Sequence, residues 1–118
     1  MVELAAIWCP SQADFDLFAQ VSGDDNPIHV DPEFSAGSAF GRTVSHGMLI
    51  YSKLWGLICA QHPGAQSVRQ AMMFPNPCFT GEEVRLEVTG DIPGAVAMRA
   101  VRIMDEAELF VGEAEVAL

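Results

Sequence analysis

His46-Gly47-Met48-Leu49-Ile50-Tyr51-Ser52-Lys53-Leu54-Trp55-Gly56-Leu57-Ile58-Cys59-Ala60-Gln61-His62 is the stretch on which the fold turns. Its apolar residues (Met48, Leu49, Ile50, Leu54, Trp55, Leu57, Ile58 and Cys59) recur at helical spacing and cover most of the circumference. A helix apolar nearly all round is a buried one, so the pattern predicts a central helix over 46–62, ended by Pro63-Gly64. The apolar run from Gly47 to Ala60 is cut by Lys53 and is shorter than the ~20 residues a bilayer span needs. The rest of the chain has to cover this helix.

Downstream, from Ser67 onward, the period changes to two. Val84, Leu86 and Val88 alternate with Arg85, Glu87 and Thr89, and a second run over 95–104 leads into a turn at Asp105-Glu106. A third run puts Phe110, Gly112, Ala114, Val116 and Leu118 on one face and Glu113 and Glu115 on the other. Residues 67–79 are apolar and Met-rich, but Pro75 and Pro77 require this segment to bend or lie at an edge. Upstream, Ser11 and Asp14 suit a capping box, Phe15, Phe18 and Val21 follow helical spacing, and Gly23 is a natural stop. A polar loop over 24–29 follows, and Asp31-Pro32 reads as the cap and first residue of a short helix carrying Phe34. The expected class is α+β, an antiparallel meander with one apolar face wrapped around a long helix, in one domain over 1–118.

The chain has 118 residues, and 6 Lys+Arg against 16 Asp+Glu give a net charge of −10. That balance, with its cations scattered, argues against nucleic acid and anionic membrane as partners, since both select clustered Lys and Arg. Half the residues are hydrophobic, more than so small a domain can cover by itself, so part of the apolar surface is expected in a subunit interface. Cys9, Cys59 and Cys78 are odd in number and lack CxxC spacing, which suits reduced, buried or half-buried thiols. Met1-Val2-Glu3-Leu4 lacks the basic start of a signal peptide, so a cytoplasmic protein is expected.

Three histidines can be weighed singly. His62 falls at the end of the long helix, where a cation meets the negative end of the dipole. His46, at its start, suits a capping or packing role as well as a functional one. His29 lies five residues after Asp24 in the polar loop, with Asn26 and Pro27 between them. A carboxylate and an imidazole on one rigid loop can share a bound water, and the imidazole titrates near neutral pH. A metal site from Asp24, His29, Asp31 and His46 matches no standard spacing, so no metal is expected. If Ser45 or its neighbour caps the long helix, the first-turn N–H groups, that of Gly47 included, have no helical acceptor and can hold a developing oxyanion. These parts suit chemistry beside a thioester carbonyl, either addition of water to a conjugated double bond or hydrolysis of the thioester.

Ser22-Gly23-Asp24-Asp25-Asn26-Pro27-Ile28-His29-Val30-Asp31, followed by Phe40-Gly41-Arg42-Thr43-Val44-Ser45-His46-Gly47-Met48-Leu49, closely resembles the MaoC-like hydratases, the (R)-specific enoyl-CoA hydratases and related dehydratases of the hot-dog superfamily. The resemblance implies a hot-dog fold and a homodimer with sites near the subunit interface. It implies Asp24 and His29 as the pair that activates water, and the N–H of Gly47 as the group that polarises the thioester carbonyl. Ser52, Asn26 and His46 are the expected substrate-pocket positions, Asn26 with Pro27 shaping the loop without reacting. The implied reaction is reversible syn hydration of a trans-2-enoyl thioester, with no cofactor beyond the acyl-CoA substrate itself. Arg42, Lys53 and Arg69 are the cations placed to meet CoA phosphates, and the small chain suits a short acyl group better than a long one. An acyl carrier protein, itself acidic, would be repelled. A hot-dog thioesterase and a non-catalytic acyl-binding or accessory subunit are the alternative readings. Trp8, Trp55, Phe74 and Met72-Met73 are read as core.

Overall fold

The computed structural model describes residues 1–118. In chain order the elements are β1 (Val2–Trp8), α1 (Gln12–Ser22), α2 (Pro27–Val30), α3 (Pro32–Ala36), α4 (Gly47–Gln61), β2 (Gln66–Met73), β3 (Val84–Gly90), β4 (Gly94–Arg102) and β5 (Ala107–Ala117). The strands form one antiparallel sheet in the order β1-β3-β4-β5-β2. Helix α4 packs across β1, β3, β4 and β5, so the sheet curls over it.

Local chemistry accounts for most of these boundaries. The Ser11 hydroxyl accepts from Asp14 N–H while the Asp14 carboxylate accepts from Ser11 N–H, closing the expected capping box. Gly23 ends α1 in the left-handed region at φ 81°, which glycine adopts without a Cβ penalty. Asp31 Oδ1 caps α3 by accepting from Glu33 and Phe34 N–H, with Pro32 in the first turn. The segment expected to be plain loop contains the one-turn helix α2, because Asn26 caps Ile28 N–H and Pro27 is pre-set for a first helical position.

The core joins α4 to the sheet. Leu49, Ile50, Leu54 and Ile58 of α4 meet Val84, Leu86 and Val88 of β3, Val96, Met98 and Ala100 of β4, and Phe110, Ala114 and Val116 of β5. Three expectations are corrected here. First, α4 is buried along one face only: Met48, Ser52, Gly56 and Ala60, at intervals of one turn, are exposed. Second, strand β1 was not foreseen, because Ala5 and Ile7 put apolar residues on its exposed side and blur the alternation. Third, Leu118 lies beyond β5 and is 63% exposed, while a register shift at Ala100/Val101 buries both Leu109 and Phe110. The segment expected at an edge is the edge strand β2, and the chain leaves it at Pro75.

Leu54 is fully buried between α4 and the sheet. Leu54→Ala is expected to lower unfolding stability in denaturant by about 2–5 kcal/mol. Leu17→Ala, at a 61% exposed position on α1, is expected to cost under ~1 kcal/mol. Equal losses would contradict the placement of the core.

Candidate active site

The loop carrying Asp24 and His29 is pinned from several sides. Gln12 of α1 donates to the carbonyl of His29 at 2.9 Å, and Thr43 in turn donates to Gln12 Oε1 at 2.7 Å. Val44 binds the same loop twice: its N–H donates to Ile28 O at 3.0 Å, and its carbonyl accepts from His29 Nδ1 at 2.9 Å. Because a carbonyl only accepts, Nδ1 carries the hydrogen and His29 Nε2 is left as the reactive nitrogen. Asp24 is held by its N–H to Ser22 Oγ at 3.1 Å and by a long 3.4 Å contact from Asn26 N–H to its Oδ1.

His29 Nε2 and Asp24 Oδ2 face each other at 3.8 Å, with His29 15% and Asp24 56% exposed. That gap exceeds hydrogen-bond length, yet a single water about 2.8 Å from each atom fits between them. Beneath His29 lies His46, 2% exposed, its ring stacked on that of His29 at 3.9 Å between centroids and 24° between planes. The edge of Phe18 closes the other side at 4.9 Å. His46 Nε2 donates to the carbonyl of Asp24 at 2.8 Å, while its Nδ1 is buried without a partner.

Next in sequence, Gly47 opens α4. Of the two expected cap positions, Ser45 and its neighbour, His46 is the N-cap residue; it gives no side-chain cap bond, and the Ser45 hydroxyl donates to His46 O. The Gly47 amide has no partner in the surrounding loops and sits at the positive end of a 15-residue helix. A methyl group on Gly47 would lie 2.7 Å from ring carbons of Phe74, whose outer ring edge packs against the glycine. Asp24, His29, His46, Gly47, Met48 and Phe74 border one cavity of about 590 Å³, whose lining also includes Phe40 and Pro75 to Cys78. Phe74, read as core from the sequence, is 45% exposed at this cavity. Its proline-flanked position was the available signal.

The remaining expected residues divide. Asn26 caps α2 on the exposed side of the loop. Ser52 is not brought to the cavity: it is exposed and its hydroxyl bonds the carbonyl of Met48 one turn back. All three cysteines are free, but Cys9 is exposed, contrary to expectation. Burial pushes the Cys78 thiol up to about 12, so it offers no thiolate to the cavity at neutral pH. Of the six cations, Arg42, Arg69, Arg85, Arg99 and Arg102 are each paired with carboxylates, and Lys53 lies over the Trp8 ring. The wall from Pro77 to Glu82 is tied down by Arg102, which meets Glu82 at 3.3 Å and donates to Pro77 O. Arg42 pairs with Glu82 at 2.9 Å while its guanidinium stacks on Phe79. Asp24, His29 and His46 offer ligand atoms within 4.8 Å of one another. Of the ring nitrogens, His29 Nδ1 and His46 Nε2 are occupied by carbonyls.

An antiparallel sheet curled over one long helix is the hot-dog arrangement, and a carboxylate–imidazole pair stands here near the helix's N-terminus. Comparison with known proteins agrees. The MaoC-like domain model matches residues 4–107. An (R)-specific enoyl-CoA hydratase of Aeromonas caviae is 45% identical over 78 residues, covering 64% of this chain and 58% of that one. The solved (R)-hydratase from A. caviae involved in PHA biosynthesis superposes with a TM-score of 0.87 at 33% identity, covering 99% of this chain and 94% of that one. An unliganded R-hydratase from Pseudomonas aeruginosa gives a TM-score of 0.86 at 28% identity over 98% of this chain and 78% of that one. The chain belongs to the MaoC-like domain family. It spans about half the length of the curated relatives it matches.

Burial, opposed by the bond to Asp24 and reinforced by the neighbouring His29, lowers the pKa of His46 below its ordinary 6.5. Unfolded, His46 takes up a proton near that value; folded, it does so only at lower pH. Its contribution to stability is therefore complete above 6.5 and is lost as pH falls through the window below it. Denaturant midpoints measured from pH 7.5 down to about 5 are expected to fall less steeply in His46→Gln than in wild type. Parallel curves would contradict a buried neutral His46.

Proposed function

We propose that this protein is a hydro-lyase that adds water reversibly and syn to a trans-2-enoyl thioester, giving the (R)-3-hydroxyacyl thioester. The observation that carries the reading is the 3.8 Å gap between Asp24 Oδ2 and His29 Nε2, open to the cavity that the uncapped start of α4 also borders. A water in that gap is polarised by both groups. Asp24 takes one proton from the water as its oxygen bonds to the substrate's β-carbon, and that proton returns from the pair to the α-carbon with the support of His29 Nε2, the water's second hydrogen staying on the new hydroxyl. Negative charge passing onto the thioester oxygen is met by the Gly47 N–H and the α4 dipole. Dehydration is the same path reversed.

The substrate is carried as a CoA thioester, and the reaction needs no metal or other cofactor. With the five arginines paired, the CoA phosphates remain at the surface, and Lys53 is the cation left to approach them. Phe74 against Gly47 shortens the cavity and favours a short acyl chain. The assembly is a homodimer that covers the exposed face of α4 and the open edge of β2, acting in the cytoplasm from the one domain over 1–118. Neither nucleic acid nor membrane is a partner, and no helix is long and apolar enough to cross a bilayer.

With crotonyl-CoA, loss of the conjugated enoyl absorbance is expected for wild type. Asp24→Asn and His29→Gln are expected to slow it by about 10²–10⁴-fold while remaining folded. Free thiol released at the rate of absorbance loss would favour the thioesterase reading. Unchanged rates in both variants would overturn the assignment of the pair.

A further inference from the structure

We propose that His46 is the positioning residue of this site, fixing the acid–base loop to the oxyanion end of α4 without itself touching substrate. The inference rests on the hydratase reading and deepens it. Two contacts of its side chain and one backbone bond meet at this residue. Its ring covers the face of His29 at 3.9 Å, while Val44 O fixes His29 Nδ1, so the His29 ring is restrained both in its plane and perpendicular to it. Its Nε2 donates to the backbone carbonyl of Asp24, a bond spanning 22 residues from the start of the loop to the cap of α4. Its own carbonyl carbon is bonded to the amide nitrogen of Gly47. One residue thereby sets the separation between the water-activating pair and the carbonyl-polarising N–H.

The chain bears a cost for this arrangement. His46 Nδ1 is buried with no hydrogen-bond partner, and at 2% exposure the ring has surrendered its hydration. An apolar side chain of similar size would fill the space without that cost, but it could not donate to Asp24. The donor, not the volume, explains a histidine here. Glutamine places an amide nitrogen where the histidine Nε2 stands; asparagine is too short to reach Asp24 O.

Wild type, His46→Gln and His46→Asn are compared in crotonyl-CoA hydration, with kcat and KM separated. In parallel, imidazole NMR follows the His29 Nδ1 proton held by Val44 O. Asparagine is expected to lower kcat at least about tenfold with KM little changed, and glutamine to restore most of it, as for a misplaced catalytic group. The His29 proton is expected in wild type and the glutamine variant and to be exchange-broadened in the asparagine one. Equal kcat in both variants would overturn the proposal, as would a rise in KM alone, which would mark direct substrate contact. A wild type inactive on crotonyl-CoA would count against short-chain hydration. The NMR comparison would still decide whether His46 holds His29 in place.

Discussion

The architecture follows from burying one apolar face of helix α4 against the sheet. Helix α4 offers Leu49, Ile50, Leu54 and Ile58 to the sheet and keeps only Ser52, Lys53 and Gln61 as strongly polar positions. A sheet that covers that face curls along the helix. At the C-terminal end Pro63-Gly64 stops the helix in solvent. At the N-terminal end the chain supplies no side-chain cap, so the free N–H groups face a cavity, and the loop from Ser22 to Asp31 is brought to the same place by α1 and Val44. The uncapped start of α4 and the Asp24–His29 pair thus share one location.

The strongest periodicities were readable, and the reason is physical. Helix α4 falls one residue inside each end of its expected range, and the caps Ser11, Gly23 and Asp31 act as their side chains dictate. The meander faces are right where charged residues alternate with apolar ones, as at Glu113 and Glu115. Strand β1 escaped because Ala5 and Ile7 lie on its solvent side, and the burial of Leu109 escaped because a register shift leaves no trace in composition. For the site, Asp24, His29 and Gly47 were legible because they lie in two short motifs. The contributions of Gln12, Val44 and Phe74 were not, since each acts through a contact made only in three dimensions. Ser52 shows the converse: one turn beyond Met48, it points back to its own helix and away from the cavity.

The electrostatic arrangement complements this account. A net charge of −10 sits on a surface where each arginine has a carboxylate partner, so little free positive charge remains to attract a polyanion. Recognition therefore falls to the cavity, with its mostly apolar border of Phe40, Met48 and Phe74 and one carboxylate–imidazole pair. In the proposed reaction the reacting end of an acyl thioester enters this lining while its charged end stays outside.

The central claim is that Asp24 and His29 act on one water from one side of the substrate. Hydration of crotonyl-CoA in deuterium oxide, followed by NMR of the 3-hydroxybutyryl product, tests it most directly. The account predicts a single (R)-configured diastereomer with deuterium at the α-carbon on the same face as the new hydroxyl. Deuterium on the opposite face, or a mixture of diastereomers formed at the catalytic step, would contradict it.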